Sequence, residues 1–268
     1  MRPACALVAR VLTELRDMAR PGVTTAELDA KAEGTIVGAG ATPAFKGYHG
    51  YPATLCISIN DEVIHGIPSP RRVLNDGDVV SMDVGAVLDG YVGDSAITVP
   101  VGAVNGRAAD LLRVTQEALY RAIAQMTVGG RVSDIGHAVQ QHVEAHGFSV
   151  VREFVGHGIG TSMHEEPQVA NYGPAGRGPR LSEGIVLAIE PMVNLGKPAV
   201  KVLDDGWTAV TRDGSLSAHF EHTVALTAGG PLVLTARDDE RFAEVLAASG
   251  FSIPPDVESR WRKTTRSK

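Results

Sequence analysis

Two stretches of this chain answer each other about 107 residues apart, and each ends on a carboxylate. Gly77-Asp78-Val79-Val80-Ser81-Met82-Asp83 is matched by Gly184-Ile185-Val186-Leu187-Ala188-Ile189-Glu190. A second pairing sets Gly93-Asp94-Ser95-Ala96-Ile97-Thr98-Val99 against Phe220-Glu221-His222-Thr223-Val224-Ala225-Leu226. Each match puts an acid at the edge of an apolar, β-branched run, the pattern of a carboxylate carried on a strand toward a closed interior. A buried acid is costly unless something neutralises it. Four of them, in two matched pairs, call for a cation at the seam between two related halves.

The flanking elements repeat as well. Leu7, Val11, Leu15 and Met18 recur at helical spacing, Pro21-Gly22 ends that run, and Thr24 with Glu27 forms a capping box for a second helix. Leu111, Leu112, Thr115, Leu119 and Ile123 trace another helix, Gly129-Gly130 follows it, and Ser133-Asp134 is expected to cap the next. Phe45-Lys46-Gly47 answers Phe154-Val155-Gly156. Each half therefore reads helix, glycine turn, helix, then strands bearing acids. A repeat of this length implies one duplicated domain and not a solenoid array.

With 268 residues, 44% of them hydrophobic, the chain can bury one large core or two fused small ones. Its net charge of −6 offers no nucleic-acid surface. Arg10, Glu14, Arg16 and Asp17 interrupt the first apolar stretch, so no membrane span is expected there, and the same charges argue against a signal peptide. Cys5 and Cys56 are too few for a disulfide framework, which fits a reducing cytosol, so a cytoplasmic location is expected.

Spacing sharpens the metal reading. Asp89-Gly90 is a hairpin turn signal between Asp83 and Asp94, so the two acids should meet on adjacent antiparallel strands. Paired carboxylates repel unless they share a cation. Four oxygen-donor side chains suit two divalent ions, held about 3.5–4 Å apart in dinuclear hydrolytic sites. His157, flanked by Gly156 and Gly158, is placed to add an imidazole. His164 and His65 stand beside similar turns, and their grouping favours chemistry over an ordinary buried histidine. His142 and His146, four apart, lack the zincin order and read as a solvated helix face. The basic stretch over residues 261–268 reads as a disordered, solvated tail.

Six motifs together resemble the type I methionine aminopeptidases of bacteria. They are Gly47-Tyr48-His49-Gly50-Tyr51-Pro52, Asn60-Asp61-Glu62-Val63-Ile64-His65-Gly66-Ile67-Pro68, Gly156-His157-Gly158-Ile159-Gly160, His164-Glu165-Glu166-Pro167, Ile189-Glu190-Pro191-Met192 and Phe220-Glu221-His222-Thr223. The resemblance implies an α+β pita-bread fold, two pseudo-symmetric halves around a curved antiparallel sheet ringed by helices. It places the catalytic domain at 1–236, with halves of about 1–105 and 106–236. An extension at 237–268 follows, and Phe242, Val245 and Leu246 give it one amphipathic helical face.

By the same resemblance Asp83, Asp94, His157, Glu190 and Glu221 match five ligands of two divalent ions, drawn from cobalt, manganese, iron and zinc. Asp94 and Glu221 would bridge the pair. Glu190 would shuttle a proton, His164 would steady the tetrahedral intermediate, and His65 would touch the scissile amide. Tyr48, Tyr51, Cys56, Met163, Trp207 and Phe45 stand where that family lines its methionine pocket. Asn60 and Ser217 stand where some relatives hold a monovalent cation. The implied reaction removes the first methionine of nascent chains when the second residue is small. The implied setting is a monomer near the ribosome, with no membrane and no specific nucleic acid. Met163 replaces a common aromatic, and His219 a common glutamine. Proline-specific peptidases share the fold, and some pita-bread domains only bind. The segment over 48–52 favours methionine, and the complete ligand set opposes a binding-only module.

Overall fold

The computed structural model describes residues 1–253. Helices α1 (Arg2–Met18) and α2 (Thr25–Gly38) lead into β1 (Thr42–Pro43), β2 (Leu55–Ile59), β3 (Glu62–Ile64), β4 (Val79–Leu88) and β5 (Tyr91–Pro100). Helices α3 (Gly106–Ala124) and α4 (Val132–Ala145) open the second half. After them come β6 (Ser149–Val150), β7 (Gly156–Gly158), β8 (Glu165–Val169), β9 (Val186–Ile189) and β10 (Met192–Asn194). Then follow β11 (Val200–Val202), β12 (Ala209–Thr211), β13 (Ser217–His219), β14 (His222–Thr227) and β15 (Gly230–Val233), and α5 (Phe242–Ala248) closes the described chain.

The capping box forms as the sequence predicts: Thr24 Oγ1 accepts the Glu27 N–H at 3.2 Å, and the Glu27 carboxylate accepts the Thr24 N–H at 2.8 Å. At α4 the expectation is corrected. The N-cap is Arg131, whose N–H donates to Asp134 Oδ2 at 2.8 Å, while the Ser133 hydroxyl accepts the Arg177 N–H at 2.7 Å. The helix begins at Val132, which puts Asp134 in the third-residue role and not at the cap. Helix α1 lies on β4 and β5 with Leu7, Val11, Leu12 and Leu15 buried. A Cβ at Gly93 would stand 2.7 Å from the Cys5 nitrogen, so glycine permits that approach.

Among the described residues all strand pairs are antiparallel, as expected, but they divide into four sheets instead of one continuous sheet. β5, β4, β2 and β1 form one, and β15-β14-β9-β7-β8 forms the largest. β13-β10-β6 and β11-β12-β3 are the small ones. The reason is visible where the halves meet. Ser95 Oγ donates to Glu221 O at 2.6 Å, Thr98 Oγ1 to His219 O at 2.7 Å, and Thr223 Oγ1 to Asp94 O at 2.7 Å. These hydroxyls take the backbone groups that a regular ladder between β5 and β13–β14 would use. One backbone bond, Glu221 N–H to Ala96 O at 2.9 Å, crosses beside them.

A single large core joins residues of both halves beneath the helices. This is the α+β pita-bread arrangement of two helix-covered halves. Leu246 of α5 is fully buried, with Phe242 and Val245 packed on the same core, as their spacing suggests. The basic stretch over 261–268 lies outside the described residues. No described helix is long and apolar enough to cross a membrane.

Candidate metal centre

Strands β4 and β5 are joined by Asp89 and Gly90 at φ of 52° and 77°, the two-residue turn that an Asp-Gly pair favours. The register sets Asp83 opposite Ala96 and Asp94 opposite Gly85, so the two acids share one face on a diagonal. In the other half the ladder ends with Ile189 opposite His222, and Glu190 and Glu221 stand one step beyond it. The duplication therefore holds for the acids but not rung for rung. A tight turn fixes the first pair, whereas the excursion through β10–β13 separates the second pair in sequence.

His157 is carried on β7 between two glycines that have no room for a side chain. A Cβ at Gly156 would lie 2.3 Å from Ala188 O, and one at Gly158 would lie 2.3 Å from Glu166 O. The His157 Nδ1–H donates to Gly158 O at 2.9 Å, which leaves the Nε2 lone pair free. That Nε2 is 3.6 Å from Glu190 Oε1 and 3.9 Å from Asp94 Oδ2. Asp94, His157 and Glu221 each offer one ligand atom within 4.8 Å of the others.

The electrostatics follow from enclosing four acids together. Burial raises the Asp94 carboxyl to about 7. Burial first, and then repulsion from neighbouring carboxylates, holds Asp83, Glu190 and Glu221 well above the ordinary range. Burial lowers His157 to about 4, so its ring is neutral and able to ligate. Asp83 Oδ1, Asp94 Oδ1, Glu221 Oε1 and His219 Nε2 are buried without a hydrogen-bond partner among the described residues. Acceptor atoms enclosed without donors fit divalent cations held by oxygen and nitrogen.

Every side chain expected in catalysis, the divalent-metal site or the methionine pocket lines one cavity of about 280 Å³, whereas Asn60 and Ser217 lie outside it. Asp83, Asp94, His157, Glu190 and Glu221 share its wall with His65 and His164. Tyr48 O–H meets His164 Nδ1 at 2.7 Å, and the His164 and His157 ring centroids are 4.3 Å apart. His65 sits at φ 61°, a strained conformation for a residue with a side chain, edge-on to Phe154 and Trp207. Burial, then the nearby His164, lowers its ring to about 4.

The apolar wall is Tyr51, Cys56, Trp207 and Phe45, with Tyr48 and Met163 beside them. Tyr51 packs edge-on to Trp207 at 5.1 Å, and its hydroxyl is within reach of the Leu55 and Gly66 carbonyls at 3.0 and 2.9 Å. Burial pushes the Cys56 thiol well up, which makes it a packing group and not a nucleophile.

The sequence reading missed His49, Ile64, Phe154 and Val155, which also line the cavity. Phe154-Val155 had a signal, since Phe154 is the repeat partner of Phe45; His49 had none beyond its neighbours. Asn60 and Ser217 do meet, the Ser217 N–H donating to Asn60 O at 2.8 Å. His219 places Nε2 3.8 Å from Glu190 Oε2. His142 departs from expectation: it is buried and bonded to Glu117, and only His146 is on the solvated side.

The model of metallopeptidase family M24 matches residues 1–228. Methionine aminopeptidase of Clostridium acetobutylicum is 52% identical over 235 residues, covering 88% of this chain and 94% of that protein. The crystal structure of methionine aminopeptidase from Thermotoga maritima superposes with a TM-score of 0.87 at 46% identity, over 88% of this chain and 95% of that one. Prolidase from Pyrococcus furiosus shares the fold at a TM-score of 0.71 and 23% identity, over 90% of this chain and 63% of its own.

Proposed function

Because this chain belongs to metallopeptidase family M24 and is a metal-dependent enzyme that removes N-terminal methionine, we propose that Asp83, Asp94, His157, Glu190 and Glu221 hold two divalent ions, from cobalt, manganese, iron or zinc. The observation that carries this is the convergence of five donor side chains, Asp94, His157 and Glu221 buried and Asp83 and Glu190 half-buried, on one small cavity whose other wall is apolar. Bound divalent metal supplies the Lewis acid that activates water and polarises a peptide carbonyl.

The chain's own residues do the rest. Tyr51, Cys56, Trp207, Phe45, Tyr48 and Met163 accept the methionine side chain, with aromatic rings and sulfur suited to a thioether. Burial holds the Glu190 proton when no metal is present; a bound cation would favour its carboxylate, which would take a proton from the attacking water and pass it to the leaving amine. His164, held by the Tyr48 hydroxyl, donates to the oxygen that becomes tetrahedral. His65, neutral in its half-buried position, hydrogen-bonds the scissile amide. Room beside these rings is short, so a small second residue is required.

The catalytic domain spans 1–236, and 237–268 is an extension. The substrates are N-termini of nascent chains, met by a monomer at the ribosome in the cytoplasm. A monovalent cation sits beside Asn60 and Ser217. The test compares Met-Ala, Met-Arg and Xaa-Pro peptides with the manganese-loaded protein. Rapid cleavage of Met-Ala alone is expected. Equal cleavage of Met-Arg would overturn the size rule, and cleavage confined to Xaa-Pro would overturn the methionine pocket.

A further inference from the structure

Away from the catalytic cavity, α3 and α4 bring Glu117, His142 and His146 together, with one ligand atom of each within 4.8 Å of the others. The two histidines are four apart on α4 and share a face, their ring centroids 4.5 Å apart. Glu117 reaches across from α3, its Oε2 2.9 Å from His142 Nε2.

Three details suit a cation better than a plain interhelix hydrogen bond. The His146 Nδ1–H donates to the His142 carbonyl at 2.8 Å, the tautomer lock that turns an Nε2 lone pair outward in metal sites. Arg113 engages Glu117 Oε1 at 2.9 Å and leaves Oε2 turned to the imidazoles. Burial, with the Arg121 charge adding to it, lowers His142 to about 4, so its ring is neutral and can ligate at physiological pH. Among the described residues, Arg113 and Arg121 are the cations that face this cluster.

We propose that Glu117, His142 and His146 bind one divalent transition-metal ion that clamps α3 to α4. Two imidazoles and a carboxylate suit zinc, nickel or copper and disfavour magnesium and calcium. The ion would take Nε2 of His142 as its ring proton moves to Nδ1. His146 would keep its Nδ1–H on the His142 carbonyl and offer Nε2, and water would complete the coordination on that exposed side. The site is independent of the catalytic reading.

Chelator-stripped protein is loaded with zinc, desalted and measured for bound zinc by mass spectrometry. His146→Ala, an exposed change that should fold normally, is expected to carry one ion fewer per chain than the wild type. It should cleave a Met-Ala peptide at the wild-type rate when manganese is supplied. Glu117→Gln, which keeps the interhelix hydrogen bond, should lose the same ion. In an Asp94→Ala background, adding His146→Ala should again remove one ion. Equal zinc content in wild type, His146→Ala and Glu117→Gln would overturn the proposal.

Discussion

Replacing Gly156 by alanine tests whether the backbone fit around His157 sets the geometry of the metal centre. The new Cβ would stand 2.3 Å from Ala188 O and 3.3 Å from both Ala188 C and Val169 Cβ. The severe contact is with backbone, so no side chain can turn aside to relieve it. Ordinary contact needs about 3.4 Å, so β7 must draw back from β9 by roughly 1 Å. His157 is the next residue, and its Nε2 would leave its places 3.6 Å from Glu190 Oε1 and 3.9 Å from Asp94 Oδ2. A displacement of about 1 Å in a catalytic constellation costs on the order of 100-fold in rate, or about 2.7 kcal/mol. The overpacking itself costs about 1–3 kcal/mol of stability. The assay measures kcat/KM on a Met-Ala peptide, bound metal per chain and Tm. Loss of activity with reduced metal occupancy is expected. Wild-type turnover with full occupancy would refute the reasoning, since β7 would then have yielded without moving His157.

Gly34→Ala is the opposite case: within α2 nothing lies within 4 Å of the new methyl, so alanine should stabilise by about 0.5–1 kcal/mol. Tm should rise by about 1–4 °C, and a fall would show hidden crowding. His164→Ala should lower turnover while leaving metal content intact, because its ring is held by Tyr48 and not counted among the acids' partners; metal loss measured in that variant would make His164 a ligand. The pH dependence has a definite sign. Burial raises all four acids, Asp94 to about 7, so between pH about 4 and about 7 the metal-stripped folded chain keeps protons that the unfolded chain has released. Its stability contribution from these groups therefore falls as pH rises through that window. Metal displaces the protons, so the rise in Tm on adding manganese should be larger at pH 7.5 than at pH 5.5. An equal rise at both would remove the acids from the binding equilibrium.

What local spacing encodes, the sequence determined. The Asp89-Gly90 turn carries its own backbone preference and so set Asp83 and Asp94 on one face. Thr24 and Glu27 satisfy each other within one helical turn. The glycines around His157 announced a close approach, although only the fold shows that the neighbours are Ala188 and Glu166. The repeated acids and the flanking motifs sufficed to find the cavity wall.

Tertiary structure alone decided the rest, because those features depend on groups far apart along the chain. The sequence has no term for Glu117 meeting His142, so a histidine pair that looks solvated by spacing has one member buried against another helix. The start of α4 moved to Val132, where a shift of one or two residues changes which side chain caps. The seam is made by the hydroxyls of Ser95, Thr98 and Thr223, ordinary strand residues until the second half is placed against them. Protonation belongs to this class too: whether His157 is neutral, and how strongly the four acids hold their protons, follows from how much water the assembled halves exclude.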